Sequence, residues 1–132
     1  MTTSNRRRTA NCAAALLTFC LAGCGLLNSG PAGVVKGFFA AVDHNDLDRA
    51  VKMFASPVRQ MIGDGKLKAG LEAASKDMQI KGGMAGVTVD EEKIDGDHAT
   101  VSVTIRYKNG STSTEKSKLV KEKDGWKLDA SK

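Results

Sequence analysis

The stretch ATVSVTIRYKNG, residues 99–110, decides the fold of this chain. From residue 99 to residue 108, odd positions carry Ala, Val, Ile or Tyr, and even positions carry Thr, Ser, Arg or Lys. This period of two is typical of a strand with one buried and one solvated face. Asn109-Gly110 then predicts a two-residue hairpin turn, because both residues tolerate positive φ. The stretch therefore predicts a half-buried strand followed by an antiparallel partner.

Turn signals on both sides extend this hairpin to four strands. A Val-Thr-Val run at residues 87–89 begins an earlier strand, which turns at Asp95-Gly96, and residues 111–123 return from the central turn. Asp124-Gly125 predicts a last turn before a short strand over residues 126–130. The sequence therefore predicts a four-stranded antiparallel meander.

The hairpin lengths conflict on the third strand. A two-residue central turn places Val120 on the buried face, whereas a two-residue last turn places Leu119 there, together with Trp126 and Leu128. Neighbouring residues cannot share a face in a regular strand, because side chains alternate between the two faces. We therefore predict a β-bulge between Glu115 and Val120.

The two-residue central turn also determines which polar residues of the third strand face inward. Thr112, Thr114 and Lys116 would face the apolar side chains of the preceding strand, and a polar wall opposite an apolar one is common in ligand pockets. The alternative is a hairpin tip that projects into water beyond the helices.

The first hairpin also needs an irregularity. Residues 87 and 89 join the buried face only if this hairpin contains a three-residue loop or a β-bulge.

Residues 31–80 carry apolar side chains with a helical period. The segment VVKGFFAAV, residues 34–42, predicts a first helix, and Asp46 is placed to cap a second one. Ser56-Pro57 interrupts this second helix, and a third covers residues 67–78. Three helices followed by a meander predict an α+β fold.

The N-terminal segment has the pattern of an export signal rather than of a folded element. Arg6, Arg7 and Arg8 precede an apolar run over residues 12–21, and small residues follow it. This is the order found in secretory signal peptides. The run is too short for a membrane-spanning helix, which needs roughly 20 apolar residues. The segment thus predicts export of the chain.

Leu21-Ala22-Gly23-Cys24, at the end of this run, resembles a bacterial lipobox. The resemblance implies a lipoprotein signal peptide (1–23), a lipidated tether (24–30) and a domain (31–132), with acyl chains on Cys24 as the membrane anchor. Gly25 stands where an aspartate would imply retention in the inner membrane. The implied location is the cell envelope, on the outer membrane facing the periplasm in a Gram-negative cell. The alternative is an ordinary cleaved signal with an incidental cysteine.

Removal of the signal changes the composition. Cys12 and Cys20 leave with it, so neither a disulfide framework nor a cysteine-ligated metal site is expected. Of the 20 basic residues, 17 remain against 15 acidic ones, which is a net charge of +2. A nucleic-acid-binding domain carries a concentrated stripe of basic residues. This sequence has no such stripe, since its nearest candidate, over residues 115–124, is interleaved with acidic residues. We therefore expect no nucleic acid among the partners.

Three segments resemble the nuclear transport factor 2-like (NTF2-like) family in its small bacterial lipoprotein branch. They are VVKGFFAAV at residues 34–42, DLDRA at residues 46–50 and VKEKDGWKL at residues 120–128. The resemblance covers residues 31–130. It implies a cone, also called cystatin-like, in which three helices pack on a curved four-stranded antiparallel meander. The family includes enzymes, binding modules and assembly subunits, so the fold does not settle the function.

Candidate site residues follow from this cone. The side chains that would line a pocket inside it, or simply form its core, are Phe38, Phe39, Phe54, Val103, Ile105, Tyr107 and Trp126. Tyr107 is the one tyrosine of the chain and a candidate hydrogen-bond donor to an oxyanion, but no carboxylate matches an isomerase motif. His44 and His98 lie in predicted turns, and the acidic run over residues 43–48 lacks the spacing of a calcium loop. We expect no catalytic residue, metal or cofactor.

The sequence favours a lipid-anchored envelope protein that acts as a non-catalytic binding or assembly module. Its partner would be an unidentified envelope protein that docks on an exposed edge of the sheet, and a homodimer formed through the sheet is compatible with the fold. The alternative is a small-hydrophobic-ligand carrier, or an isomerase- or dehydratase-like enzyme, that uses the cone cavity. A third hypothesis is a structural stress lipoprotein that contacts the cell wall. An open pocket containing Tyr107 and a carboxylate would favour the carrier or enzyme, whereas a filled cone would argue against it.

Overall fold

A computed structural model describes residues 30–130, in which four helices precede four strands. The helices are α1 Pro31–Asp43, α2 Leu47–Lys52, α3 Ser56–Ile62 and α4 Asp64–Ile80. The strands are β1 Met84–Asp95, β2 His98–Tyr107, β3 Thr112–Glu122 and β4 Gly125–Asp129. The Ser56-Pro57 interruption starts a separate helix, α3, because proline suits the first turn of a helix and not its interior. Cys24, the predicted signal peptide and the predicted tether up to residue 29 lie outside the described residues, as do residues 131 and 132.

The four strands form one antiparallel sheet in the order β1-β2-β3-β4. The outer edge of β4 is partly covered by the connection between α2 and α3. Leu128 N–H donates to the Met53 carbonyl (2.8 Å), and Ala55 N–H donates to the Leu128 carbonyl (2.8 Å). The outer side of β1, by contrast, pairs with none of the described strands.

The core lies between the concave face of the sheet and helices α1, α2 and α4. Val35 and Val42 of α1 are fully buried, as are Val101, Val103 and Ile105 of β2. Ile105 and Leu119 are the largest fully buried side chains, and burial of each contributes about 1.5–3 kcal/mol to stability. The centre of the cone is therefore filled by aliphatic side chains.

The central turn differs from the predicted one. Tyr107 N–H donates to the Ser111 carbonyl (2.9 Å), which leaves a three-residue loop, and Gly110 N–H donates back to the Tyr107 carbonyl (3.0 Å). Gly110 adopts φ 88°, as the last residue of this common loop type requires. The pairing of β2 with β3 then continues without interruption. The predicted bulge between Glu115 and Val120 is wrong, because the extra residue is in the turn.

In the other two hairpins, the residues predicted to point to the buried face do so. A register shift between Val89 and Glu91 leaves a bulge that brings residues 87 and 89 opposite Ile105 and Val103, as predicted. The turns themselves lie one residue away from the expected positions, at Gly96-Asp97 and Lys123-Asp124. Leu119 pairs with Leu128 on the face that also carries Trp126, which confirms the predicted grouping.

Candidate functional site

The three-residue turn determines which residues of β3 face the interior. Ser113, Glu115 and Ser117 pair with Ile105, Val103 and Val101, whose side chains are buried in the concave face. A polar wall therefore does lie opposite an apolar one.

The members of this wall are not the predicted ones. Thr112, Thr114 and Lys116 point to the outer, convex face, because a shift of one residue reverses every side chain of a strand. Thr114 lies beside Thr104 on that face, with their hydroxyl oxygens 3.4 Å apart. The prediction that Thr112, Thr114 and Lys116 face the interior is thus wrong. Ser113 and Glu115, which do face it, were missed.

A depression of about 300 Å³ opens where this wall meets α4. We call it the mouth, and we define it by an apolar floor and a polar rim. The floor consists of Phe39, Met78, Ile105 and Tyr107. The rim consists of Asp77, Lys81, Ser113 and Glu115. The mouth thus brings the one tyrosine together with a carboxylate.

Hydrogen bonds and one ion pair order the rim. The Ser113 hydroxyl donates to Glu115 Oε1 (2.8 Å). Lys81 Nζ donates to Asp77 Oδ2 (2.6 Å) and also lies 4.6 Å from the centroid of the Tyr107 ring. The pKa of Lys81 is raised, mainly by the hydrogen bond to Asp77 and to a smaller extent by the nearby Tyr107 and Glu115. This ammonium therefore stays charged at neutral pH. The rim carries two carboxylates and one ammonium.

Backbone hydrogen bonds hold the two sides of the mouth together. Asn109 N–H donates to the Lys81 carbonyl (3.1 Å), and Lys108 N–H donates to the Gly83 carbonyl (3.0 Å). Gly83 has φ 86°, a backbone conformation that favours glycine. The central turn is thereby fastened to the end of α4, which keeps Lys81 above Tyr107.

The predicted pocket residues do not share one pocket. Phe39, Ile105 and Tyr107 line the mouth. A second depression of about 310 Å³ lies beside Phe38 and Phe54, whose rings meet edge to face at 5.5 Å. Phe38 also meets Phe39 edge to face, at 5.3 Å, so this ring stands between the two depressions.

The two remaining pocket candidates belong elsewhere. Val103 has no exposed surface and is part of the core. Trp126 packs against the core from β4 and has Lys121 Nζ 5.9 Å from its ring centroid. Neither residue lines the two depressions.

A larger groove, about 800 Å³, lies between α4 and the turn after α1 and includes His44. Its charged side chains are largely paired: Lys76 Nζ lies 2.9 Å from Glu72, and Lys68 Nζ lies 2.8 Å from Asp48. His44 is exposed there, and His98 is exposed at the start of β2. Within residues 30–130, no group of three or more His, Cys, Asp or Glu is placed to hold a metal ion. No helix in this range is long and apolar enough to cross a membrane.

Residues 22–129 match the family described as Domain of unknown function (DUF4878). The chain belongs to this family. No curated protein matches the DUF4878 chain.

Solved structures similar to the DUF4878 chain include two bacterial proteins. One, from Campylobacter jejuni and described provisionally as an NTF2-like transpeptidase, has 17% identity and a TM-score of 0.66, over 76% of this chain and 97% of that one. A SEC-C motif containing protein from Rhodopseudomonas palustris has 17% identity and a TM-score of 0.51, over 75% and 74%. At this identity the likeness concerns the fold alone. The DUF4878 chain is thus an α+β domain with an NTF2-like fold.

Proposed function

We propose that this chain is a lipid-anchored protein of the bacterial cell envelope, whose domain is a non-catalytic binding module with the mouth as its binding site. The observation that carries the proposal is the mouth itself, an ordered depression with an apolar floor and a charged rim. Its charged groups already have partners, since Glu115 accepts from Ser113 and Lys81 pairs with Asp77. Such a rim favours recognition of a ligand over transfer of a proton.

The direction of α1 supports a display role. Near the start of the helix, Ala32 N–H donates to Glu92 of β1 (2.8 Å). Phe39 of the mouth lies about 12 Å along the helix axis from Pro31, at roughly 1.5 Å per residue. A tether that enters at residue 30 would therefore attach at the end of the domain away from the mouth. An anchor on Cys24 would leave the mouth directed away from the membrane.

The exposed edge of β1 is less suited to docking than the sequence led us to expect. The strand contains two register irregularities, and residues 90–93 are all charged. Bulges and charges are devices that protect an edge strand from pairing with another chain. We therefore propose the mouth, not this edge, as the binding surface. A homodimer through the sheet remains a prediction, and a measurement of the molecular mass in solution tests it.

The anchor is tested by the Cys24→Ala variant. We expect loss of acyl labelling and accumulation of unprocessed precursor, because the thiol is the acceptor of the diacylglycerol. Cys20→Ala is the matched control and should be labelled normally. Unchanged labelling of Cys24→Ala would end the lipoprotein proposal.

The binding role is tested by site-specific photo-crosslinking in intact cells. A photoreactive residue at Ser113, on the rim of the mouth, should capture a defined envelope partner. The same residue at Thr100, on the convex face, is the control and should not capture it. Cell-wall material captured at Ser113 would favour the structural stress lipoprotein, and equal capture at both positions would refute the binding site.

The second candidate function is a small-ligand carrier or an isomerase- or dehydratase-like enzyme. The observation that favours it is the position of Tyr107 and Glu115 in one depression, whereas the aliphatic filling of the cone centre argues against a deep cavity. Turnover of a small hydrophobic substrate that is lost in Tyr107→Phe would replace the binding role with this one.

A further inference from the structure

We propose that the mouth binds small amphipathic cations, in which an ammonium group is attached to a compact apolar body. This inference rests on the proposed binding role, and it names the chemical group that the mouth recognises, whether that group belongs to a free molecule or to a side chain of the envelope partner. It follows from the charge balance of the rim, the cation already held on Tyr107 and the size of the depression.

The charge balance of the rim favours a cation. Asp77 and Lys81 neutralise each other in a 2.6 Å ion pair, which leaves the carboxylate of Glu115 as the net charge of the mouth. Glu115 Oε1 accepts one hydrogen bond from Ser113, and an ionised carboxylate has about four acceptor positions. An ammonium group would complete this shell through charge-assisted hydrogen bonds, which are the stronger kind.

The ammonium of Lys81, from the rim, already lies over an aromatic ring of the floor. Lys81 Nζ lies 4.6 Å from the centroid of the Tyr107 ring, within the distance at which an ammonium is attracted to an aromatic face. Beside the ring, Phe39 is partly exposed and offers apolar surface to the rest of a ligand, whereas Met78 and Ile105 lie buried beneath it. A depression of about 300 Å³ has room for roughly ten water-sized groups. The ligand body must therefore be compact.

Three compounds with the same phenyl ring and two-carbon chain test the charge preference. Phenethylamine is a cation, phenethyl alcohol is neutral and phenylacetate is an anion at neutral pH. The full chain, purified in a nonionic detergent, is titrated with each and followed by amide chemical shifts. We expect phenethylamine to bind about tenfold more tightly than the other two, with the largest shifts at residues of the mouth, because one charge-assisted hydrogen bond has that magnitude.

Two variants with opposite effects separate recognition from structure. Glu115→Gln should weaken phenethylamine binding about tenfold and leave phenethyl alcohol binding unchanged. Lys81→Met should tighten phenethylamine binding, because it frees both Asp77 and the face of Tyr107. Glu91→Gln, an exposed carboxylate on β1, is the matched control and should have no effect.

Equal binding of the three compounds, or a preference for phenylacetate, would overturn the inference. An unchanged phenethylamine affinity in Glu115→Gln would overturn it as well. If phenethylamine fails while the Ser113 crosslink persists, the ligand class is wrong and the binding role stands. If both fail, the binding role falls too.

Discussion

Single carboxylates hold the helices to the sheet in this domain. Asp43 Oδ1 accepts from Met84 N–H (2.9 Å), and Glu92 Oε2 accepts from Ala32 N–H (2.8 Å). Glu122 accepts from both the N–H and the hydroxyl of Ser56 at the start of α3. Because the first amides of a helix lack partners within the helix, Glu92 and Glu122 supply what the helix ends need. In the sequence these residues are indistinguishable from solvated surface charges.

At the residue scale, we predict that Arg59 controls the titration of Asp64. Arg59 Nε and Nη2 donate to the two carboxylate oxygens at 2.9 and 2.6 Å, and this bidentate contact lowers the pKa of Asp64 below its ordinary value of 3.8. A lowered pKa contributes stability above the ordinary value, and this contribution is lost as the pH falls through the folded value. Asp64 is exposed and Arg59 is partly exposed, so the measurement is the carboxyl pKa by NMR, not stability.

Arg59→Gln should raise the pKa of Asp64 towards 3.8. Asp124 serves as the internal control, because its pKa is lowered by a different cation, Lys127. A parallel shift of Asp124, or no shift of Asp64, would contradict the assignment.

At the element scale, the central turn is the feature on which the site depends. Asn109 Oδ1 accepts from both the N–H and the hydroxyl of Ser111 (2.9 and 2.6 Å). These bonds stabilise the three-residue loop, and Gly110 closes it with positive φ. Shortening the loop by one residue would move Glu115 out of the mouth and Leu119 out of the core, because both face inward in the present register.

We predict that Gly110→Ala lowers the free energy of unfolding by about 1 kcal/mol, because alanine must adopt φ near 88° there. Gly70→Ala, in α4, is the matched control. A Cβ meets nothing within 4 Å at either position, so steric clash is not a factor. In the helix the substitution should raise stability by about 0.8–1 kcal/mol. Urea denaturation measures both, and the same sign for the two variants would contradict the argument.

At the scale of the whole molecule, the two layers share one core and the site lies at its border. Leu119 of β3 is 1% exposed and pairs with Ala99 and Leu128. Neither layer can bury its apolar face alone, so the helices and the sheet should unfold together. The mouth is the place where this core reaches solvent.

We predict that Leu119→Ala costs about 2–5 kcal/mol, because it leaves a cavity between the two layers. Met61→Ala is the control. Met61 is 76% exposed, and its truncation should change stability by no more than about 0.5 kcal/mol. Circular dichroism and tryptophan fluorescence should report one common transition in urea. Separate transitions for helix content and for Trp126 would refute the single core.

Local patterns were sufficient to predict that helices precede strands and which face of β2 is buried, but they predicted three helices where the described residues form four. Alternation along residues 99–107 reports burial directly, since it depends only on which side of a strand meets the other layer. The shared face of Leu119, Trp126 and Leu128 was predicted from a two-residue turn at Asp124-Gly125. The turn lies one residue earlier, which moves the pairing by two residues and therefore keeps the same faces. For residues 87 and 89 to join the buried face, the sequence required either a three-residue loop or a bulge in the first hairpin, and the structure has the bulge.

The candidate site was predicted only in part. Phe39, Ile105 and Tyr107 were identified as pocket residues, and they do line the mouth. Glu115 and Ser113 were missed because Asn-Gly is compatible with loops of two and of three residues, and the two lengths place opposite faces of β3 inward. A requirement that Leu119 be buried without a bulge would have selected the three-residue loop.

The sequence by itself determined that helices precede a meander, which side of β2 is buried and where the turns lie to within a residue, because these properties depend on near neighbours along the chain. Only the tertiary structure decided that Lys81 of the α4 terminus lies over Tyr107 beside Glu115. That arrangement requires the central turn to bond to the end of α4. The contact joins distant parts of the chain, and no local pattern encodes it.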